Sequence, residues 1–313
     1  MIEIKEIKLL FITKDLTNYI EKSTIYLVEE LRKLTELVTW STDGHIDSIL
    51  NTIRFTPDVI LLNDFKAEYS PQIQGLKNCD IPKAIIMHDL HYRRSSRKKF
   101  IEKENIDHIF SIYRDKFNHW YPEYKNMMTW LPHHVPTTIY KDYHLEKDRK
   151  MLLMGSTERE LYPLRHAIAH QLKGYPGFAH YSHPGYERMN HKKAGYKVED
   201  EYAREINRAH IFFTCDSNFH YPVLKYFEVL GCRTLLLASG SQELRDLGFI
   251  DGKTFIEINE QNFMEKTNFY LKEESISKDI VMNGAKLIEE KHSTEIRAKQ
   301  LVQKIRSLIN QGN

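Results

Sequence analysis

The chemistry-bearing residues of this chain concentrate in Asp216–Gly240, DSNFHYPVLKYFEVLGCRTLLLASG. An apolar run, His210 to Cys215, leads into a polar turn holding Ser217, Asn218, His220 and Tyr221. A helix is predicted from Pro222, carrying Lys225 and Glu228 and stopped by Gly231, before a second apolar run, Thr234 to Ala238. A β-α-β unit of this kind places the turn beyond the carboxyl end of a strand, where open parallel sheets collect ligands. Pro is favoured at the first helical position, and the unpaired N–H groups beside it suit a diphosphate. Lys225 can add a point charge there. Glu228 shares its helix face, and a carboxylate can accept hydrogen bonds from the vicinal hydroxyls of a ribose. The same two residues also fit an exposed ion pair one turn apart, contributing roughly 0.2–0.5 kcal/mol.

Other residues invite chemistry more weakly. His88 and Asp89 end the run Ala84–Met87, with His91 and Tyr92 beside them, and fit either a ligand-facing pair or a loop cap. Asp15, Thr17 and Asn18 follow the first apolar run, and fit either an acceptor-facing loop or the cap of a helix at Thr24. His133, His134, His180, His183, His191 and His220 match no common zinc spacing, so hydrogen bonding is the expected role and no metal is expected. Ser111, Ser156 and Ser241 lack the context of a nucleophile elbow.

These residues need a scaffold, and the hydrophobic pattern supplies one. Apolar strand-like runs at 7–13, 36–41, 58–63, 84–87, 108–113 and 127–131 alternate with helical spacing at 24–34, 46–53, 97–103 and 116–120. Such alternation predicts a parallel sheet covered on both faces. Pro132-His133-His134-Val135-Pro136 and the charged stretch Lys141–Lys150 then mark a linker. The pattern restarts at Met151–Met154 and a helix near 164–172, followed by an irregular Gly/Tyr/His-rich segment at 174–195. A short strand is predicted at Thr254–Ile258, and the last 40 or so residues look helical. The expected fold class is α/β, with two doubly wound Rossmann-like domains, 1–140 and 141–313, facing across a cleft. The last helix is a candidate to pack back on the first domain.

Composition narrows the function classes. The 313 residues are 41% hydrophobic and 28% charged with a net charge of +2, so no whole-molecule field favours nucleic acid. Arg93, Arg94, Arg97, Lys98 and Lys99 are expected on the exposed face of a helix start, with phosphate or an anionic membrane as the alternative. Three cysteines, Cys79, Cys215 and Cys232, share no metal-like spacing and suggest a reducing compartment. No signal-peptide layout and no long apolar run is present, so a cytoplasmic location is expected.

The segment with Pro222, Lys225, Phe227, Glu228 and Gly231 resembles GT-B glycosyltransferases, in particular the CgeB-like (spore-maturation protein) group related to family 4. Glu243-Leu244-x-x-Leu247-Gly248-Phe249, Gly252, Asn207–Ile211 and the helix pattern His292–Leu301 are similar to the same group, over roughly Met151–Leu308. Met87-His88-Asp89-Leu90 is similar to the His-Asp segment that many family 4 enzymes place beside the donor sugar, and Leu131–Val135 to a hinge-side proline segment. The resemblance implies transfer of a sugar from a nucleoside-diphosphate sugar, with retention and without a bound metal, to an acceptor it does not name. It assigns Glu228 to the ribose, Ser217 to Tyr221 and Pro222 to the diphosphate, and His88 to the sugar. Gly155 is a further donor-binding candidate, and Arg159 and Arg165, with Lys225 adding a point charge, are the candidates to neutralise the diphosphate. Should the reaction invert, Asp15, His88 or Asp89 would be the base. Three departures stand out: His220 lies eight positions before Glu228, where family 4 carries a second glutamate, Lys14–Asn18 replaces a Gly-rich loop, and the Arg/Lys pair that commonly neutralises the diphosphate has no obvious counterpart. The first two keep open a non-catalytic glycan-binding or surface-assembly protein; a sugar-nucleotide epimerase is a further alternative.

Overall fold

The computed structural model describes residues 7–183, 185 and 197–311. The chain forms two compact units, Met1–Pro132 with Arg297–Asn313, and His133–Ile296.

In the first unit the order is β1 (Lys8–Ile12), α1 (Ser23–Leu31), β2 (Glu36–Trp40), β3 (Gly44–His45), α2 (Ile46–Thr52), β4 (Val59–Asn63) and β5 (Ile73–Gln74). There follow β6 (Lys83–Met87), α3 (Arg94–Lys103), β7 (His108–Ser111), α4 (Arg114–Trp120) and β8 (Met128–Trp130). Six strands form one parallel sheet in the order β2-β1-β4-β6-β7-β8, with β3 and β5 as a separate two-residue ladder. Every residue of β4, β6 and β7 is buried, as expected of strands covered on both faces. Burying one such Leu or Ile side chain stabilises by about 2 kcal/mol. On one face Leu9, Phe11, Leu61 and Ile86 pack with Leu27 and Leu31 of α1 and with Ala298, Leu301, Val302 and Ile305 from the end of the chain. The strand order turns back at β1 and β4, so the loops after these strands flank a crevice at the carboxyl edge.

The second unit repeats the plan. Its elements are β9 (Arg149–Met154), α5 (Pro163–Gln171), β10 (Phe178–Tyr181), α6 (Glu199–Asn207), β11 (Ala209–Thr214), α7 (Lys225–Gly231) and β12 (Leu235–Ala238). Then come α8 (Gln242–Asp246), β13 (Ile256–Glu257), α9 (Phe263–Lys272), α10 (Glu274–Leu287) and, after a π-helical segment at Ile288–His292, α11 (Thr294–Gln311). The five strands are parallel, in the order β10-β9-β11-β12-β13. Here the order turns back at β9 and β11, which sets the loops beginning at Gly155 and Cys215 beside one another.

Local differences from the sequence expectations have physical causes. The segment predicted as irregular contains β10, while much of it, including His191, lies outside the described residues. Strand β10 is an edge strand, half-buried, and so lacks an apolar run. The helix expected at 24–34 ends at Leu31, where Thr35 turns its hydroxyl back to the Leu31 carbonyl at 2.9 Å. Arg97, expected on an exposed basic face, is fully buried in an ion pair with Asp64.

Candidate functional site

The carboxyl edge of the second sheet gathers several of the predicted donor-site residues. Arg165, in the first turn of α5, is 2% exposed. It donates through Nε to the Thr214 hydroxyl at 3.0 Å and through Nη2 to the Cys215 carbonyl at 3.1 Å, and lies over the Tyr162 ring at 4.0 Å. A fork of donors held by one oxygen at the end of β11 and one just beyond it is rigid, and its charge stays at the strand ends. Gly155 follows β9 with φ +123°, and a Cβ there would come within 2.8 Å of Lys225 Cε. Glycine both permits the backbone and makes room for the lysine stem.

Lys225 and Glu228 are not an exposed pair. Glu228 is 6% exposed, and its Oε2 accepts from the Tyr202 hydroxyl at 3.1 Å. The same hydroxyl accepts from Lys225 Nζ at 3.0 Å. Burial pushes the Lys225 ammonium down to about 8; Glu228 opposes that shift and Arg165 adds to it. Burial likewise lowers His183 to about 4, reinforced by Lys225 and Arg165. Two cations, a carboxylate and a neutral imidazole thus share the edge where β9 and β11 part. Tyr202 was invisible to motif reading. Its signal was the helical spacing of Tyr202, Ala203 and Ile206, all buried on α6.

The turn 216–224 corrects one expectation. Helix α7 begins at Lys225 rather than at Pro222, and runs seven residues. Pro222 is buried within the turn, where Tyr226 N–H already donates to the Val223 carbonyl at 3.1 Å. Lys225 therefore opens the helix instead of lying one turn inside it. Ser217 is buried and its Oγ accepts from Phe219 N–H at 3.3 Å, while His220 N–H returns to the Ser217 carbonyl at 2.7 Å. His220 is exposed with φ +57°, and its Nδ1 lies 2.9 Å from Asp216 Oδ2. Asp216 in turn accepts from the Ser239 hydroxyl at 2.5 Å, tying the turn to the end of β12. Tyr221 is buried, and exposed Asn218 holds the turn through its N–H to the Leu161 carbonyl at 2.8 Å. Arg159 is exposed and makes no hydrogen bond or ion pair among the described residues, so the turn gathers Arg165 and not Arg159.

The family-like residues around α7 explain why it holds still. Phe227 meets Phe249 and His292 edge-on, each at 5.1 Å between ring centroids, and Tyr226 meets Phe249 at 5.9 Å. His292 fixes its own ring through Nε2 and the Leu247 carbonyl at 2.8 Å. Gly284 of α10 lets that helix approach closely, since a Cβ would stand 2.8 Å from Leu230 Cγ. Edge-to-face pairs of this sort add about 1 kcal/mol each beyond area burial. His134 is likewise structural, with Nδ1 3.0 Å from the Thr294 hydroxyl. No cluster of His, Cys, Asp or Glu suited to a metal occurs among the described residues.

The first unit assembles a separate polar cluster at its own crevice. Asn63, buried at the end of β4, donates to Thr13 at 2.9 Å and Thr24 at 3.2 Å, and accepts from His88 Nε2 at 2.7 Å. With Nε2 so bonded, Nδ1 of the neutral ring carries the lone pair. The Tyr69 ring stacks on His88 at 4.6 Å and 18°. Burial lowers the His88 pKa, against Asp64, Glu21 and Asp89. Burial pushes Asp89 up, but Lys66, 2.9 Å away, holds it below the usual carboxylate range. Arg97 grips Asp64 at 2.9 and 3.0 Å and donates to the Asp89 carbonyl at 2.9 Å, while Asp64 accepts from His88 N–H at 2.9 Å. Asp15 is exposed, and α1 starts at Ser23 with no capping hydrogen bond from the side chain of its N-cap residue, Lys22. Asp15 accepts from the Thr17 N–H at 3.0 Å in its own loop. Asn63 and Asp64 escaped the sequence reading, which also placed Arg97 on the surface, although two polar residues closing a buried apolar strand were the available clue.

This geometry, two doubly wound parallel sheets with polar clusters at their carboxyl edges, is that of the GT-B glycosyltransferase fold. Residues 149–303 match the family described as glycosyl transferase-like. Solved structures agree over nearly the whole chain. A glycosyltransferase from Rickettsia africae is similar with a TM-score of 0.67 at 9% identity, covering 97% of this chain and 99% of the other. HepE of Anabaena in complex with UDP gives 0.66 at 10% identity over 96% and 100% of the two chains. Its complex with UDP-glucose gives 0.63 at 10% identity, again over 96% and 100%. A search of curated proteins finds no matching sequence. No helix among the described residues is long and apolar enough to cross a membrane.

Proposed function

We propose that the protein is a glycosyltransferase that takes a sugar from a nucleoside-diphosphate donor held by the second unit. The observation that carries this reading is the convergence of Arg165, Lys225 and Glu228 where β9 and β11 part. Cations at that edge suit a diphosphate and a buried carboxylate suits a ribose diol. HepE, similar in fold, has been solved with UDP and with UDP-glucose, which makes a uridine donor the first to try.

In the transfer, Lys225 would stabilise the charge on the departing diphosphate, with Arg165 adding field from its fixed position. Ser217, Asn218, His220 and Tyr221 shape the turn around it, and Gly155 keeps the lysine path open. The acceptor falls to the first unit. Retention of configuration follows from the likeness to family 4 and needs no protein base. For an inverting reaction His88 is the better base, because Asp89 is occupied by Lys66 and Asp15 by its own loop. No metal enters the scheme, since Lys225 and Arg165 supply the positive charge.

His220, exposed and turned to Asp216 eight positions before Glu228, favours a second reading, a glycan-binding protein that holds nucleotide sugars without turnover. Thermal-shift screening with UDP, GDP, ADP, CMP and TDP sugars, followed by a donor-hydrolysis assay, separates the two. Stabilisation with turnover supports the transferase. Stabilisation without turnover supports the binding protein. If no nucleotide raises the melting temperature, the donor site is wrong.

A further inference from the structure

We infer that Tyr202 is a positioning residue of the donor site, its hydroxyl standing between Lys225 and Glu228 so that the two charged groups meet the ligand rather than each other. The inference rests on the donor-site reading above and extends it to a residue outside every motif.

Three residues apart on α7, a lysine and a glutamate share a face and ordinarily draw together. In a half-buried site a direct pair would occupy both groups. Here a phenol is inserted. An ammonium can only donate and a carboxylate can only accept, so the hydroxyl must accept from Lys225 and donate to Glu228. The two distances, 3.0 and 3.1 Å, are those of ordinary hydrogen bonds. Only a group that does both at once fits this position. Serine or threonine could do so in principle, but neither reaches from α6.

The position of the hydroxyl is itself fixed. Tyr202 is 9% exposed, its ring meets Tyr140 edge-on at 6.3 Å, and Lys225 Nζ lies 5.0 Å from the ring centroid. On the other side the lysine stem runs along Gly155. The groups acting on Lys225 are therefore Glu228 on its own helix, Tyr202 on α6, Arg165 on α5 and His183 after β10. The hydroxyl keeps ammonium and carboxylate apart, the first suited to a diphosphate and the second to hydroxyls.

Tyr202→Phe tests this, because it keeps the ring and removes only the hydroxyl. Titration calorimetry with UDP across pH 6.5–9.5 is the measurement. The expected result is about tenfold weaker binding. The alkaline loss of affinity should also move to higher pH, because Lys225 now pairs directly with Glu228 and stays charged longer. In a Glu228→Gln background the same change should have little further effect. Unaltered UDP affinity with an unaltered alkaline limb overturns the inference. So does weaker binding whose alkaline limb stays in place while the unfolding midpoint drops, since that describes packing alone. A wild-type protein that binds none of the nucleotides fails at the earlier step, the donor site, and that failure is read before any variant is made.

Discussion

In the proposed donor site, the protonation state of Lys225 should govern affinity for an anionic ligand. Its ammonium titrates near 8, whereas a free lysine titrates near 10.5. A bound diphosphate favours the charged form, so UDP affinity should be full below pH 8 and fall as pH rises through that value. Calorimetry at pH 7 and pH 9 checks the sign, and an affinity that does not decline at pH 9 would remove Lys225 from the diphosphate. Stability of the free protein runs the other way. The unfolded chain binds more protons between about 8 and 10.5, so this group alone makes folding more favourable as pH rises across that window. Glu228→Gln retains shape while losing charge, and should weaken UDP binding by about tenfold with little change in melting temperature. Equal binding by this variant would assign the carboxylate to structure. At this scale the sequence could nominate Glu228, Lys225 and Arg165, through their place near strand ends together with the family resemblance of their segments, and the structure brings the three together. Tyr202 was not, because an aromatic residue at helical spacing looks like core until its hydroxyl partners are placed.

Helices and turns were legible by period, and their ends were not. Pro222 reads in the sequence as the opening of α7, yet proline fits a turn as readily, and the helix begins three residues later at Lys225. The run RRSSRKK suggested a solvated face on α3, but Arg97 turns inward to Asp64. A one-dimensional pattern cannot show that a carboxylate waits at the end of β4. Both partners are fully buried, so Arg97→Leu leaves Asp64 buried and charged without its ion partner and should cost about 3–5 kcal/mol. Urea unfolding measures it, and a loss under 1 kcal/mol would mean that water reaches the pair. Gly155→Ala forces a side chain into a left-handed backbone and against Lys225. Its expected cost is about 1–3 kcal/mol, together with weaker UDP binding from the displaced lysine. Normal binding by a stably folded Gly155→Ala would show that the stem has another path.

For the molecule as a whole, alternation of strand and helix carried the fold class, since parallel strands buried on both faces leave continuous apolar runs. Nothing in those runs tells which sheet the final helix covers. That is decided by packing, through Ala298, Leu301, Val302 and Ile305 against Leu9, Phe11 and Leu61. Removing residues 297–313 exposes this face of the first sheet and should cost that unit several kcal/mol, roughly 2 for each large side chain uncovered. Hydrogen exchange read by peptide would locate the damage in β1, β4 and α1, and undiminished protection there would show that the helix is dispensable. The same arrangement sets an order of events during synthesis. The first unit is interrupted in sequence by the second, and its missing wall leaves the ribosome only after the whole of the second unit. The second unit, continuous from His133 to Ile296, has all its parts earlier. The half begun first is therefore completed after the other, and a nascent chain stalled before Arg297 carries an open apolar face for chaperones to cover.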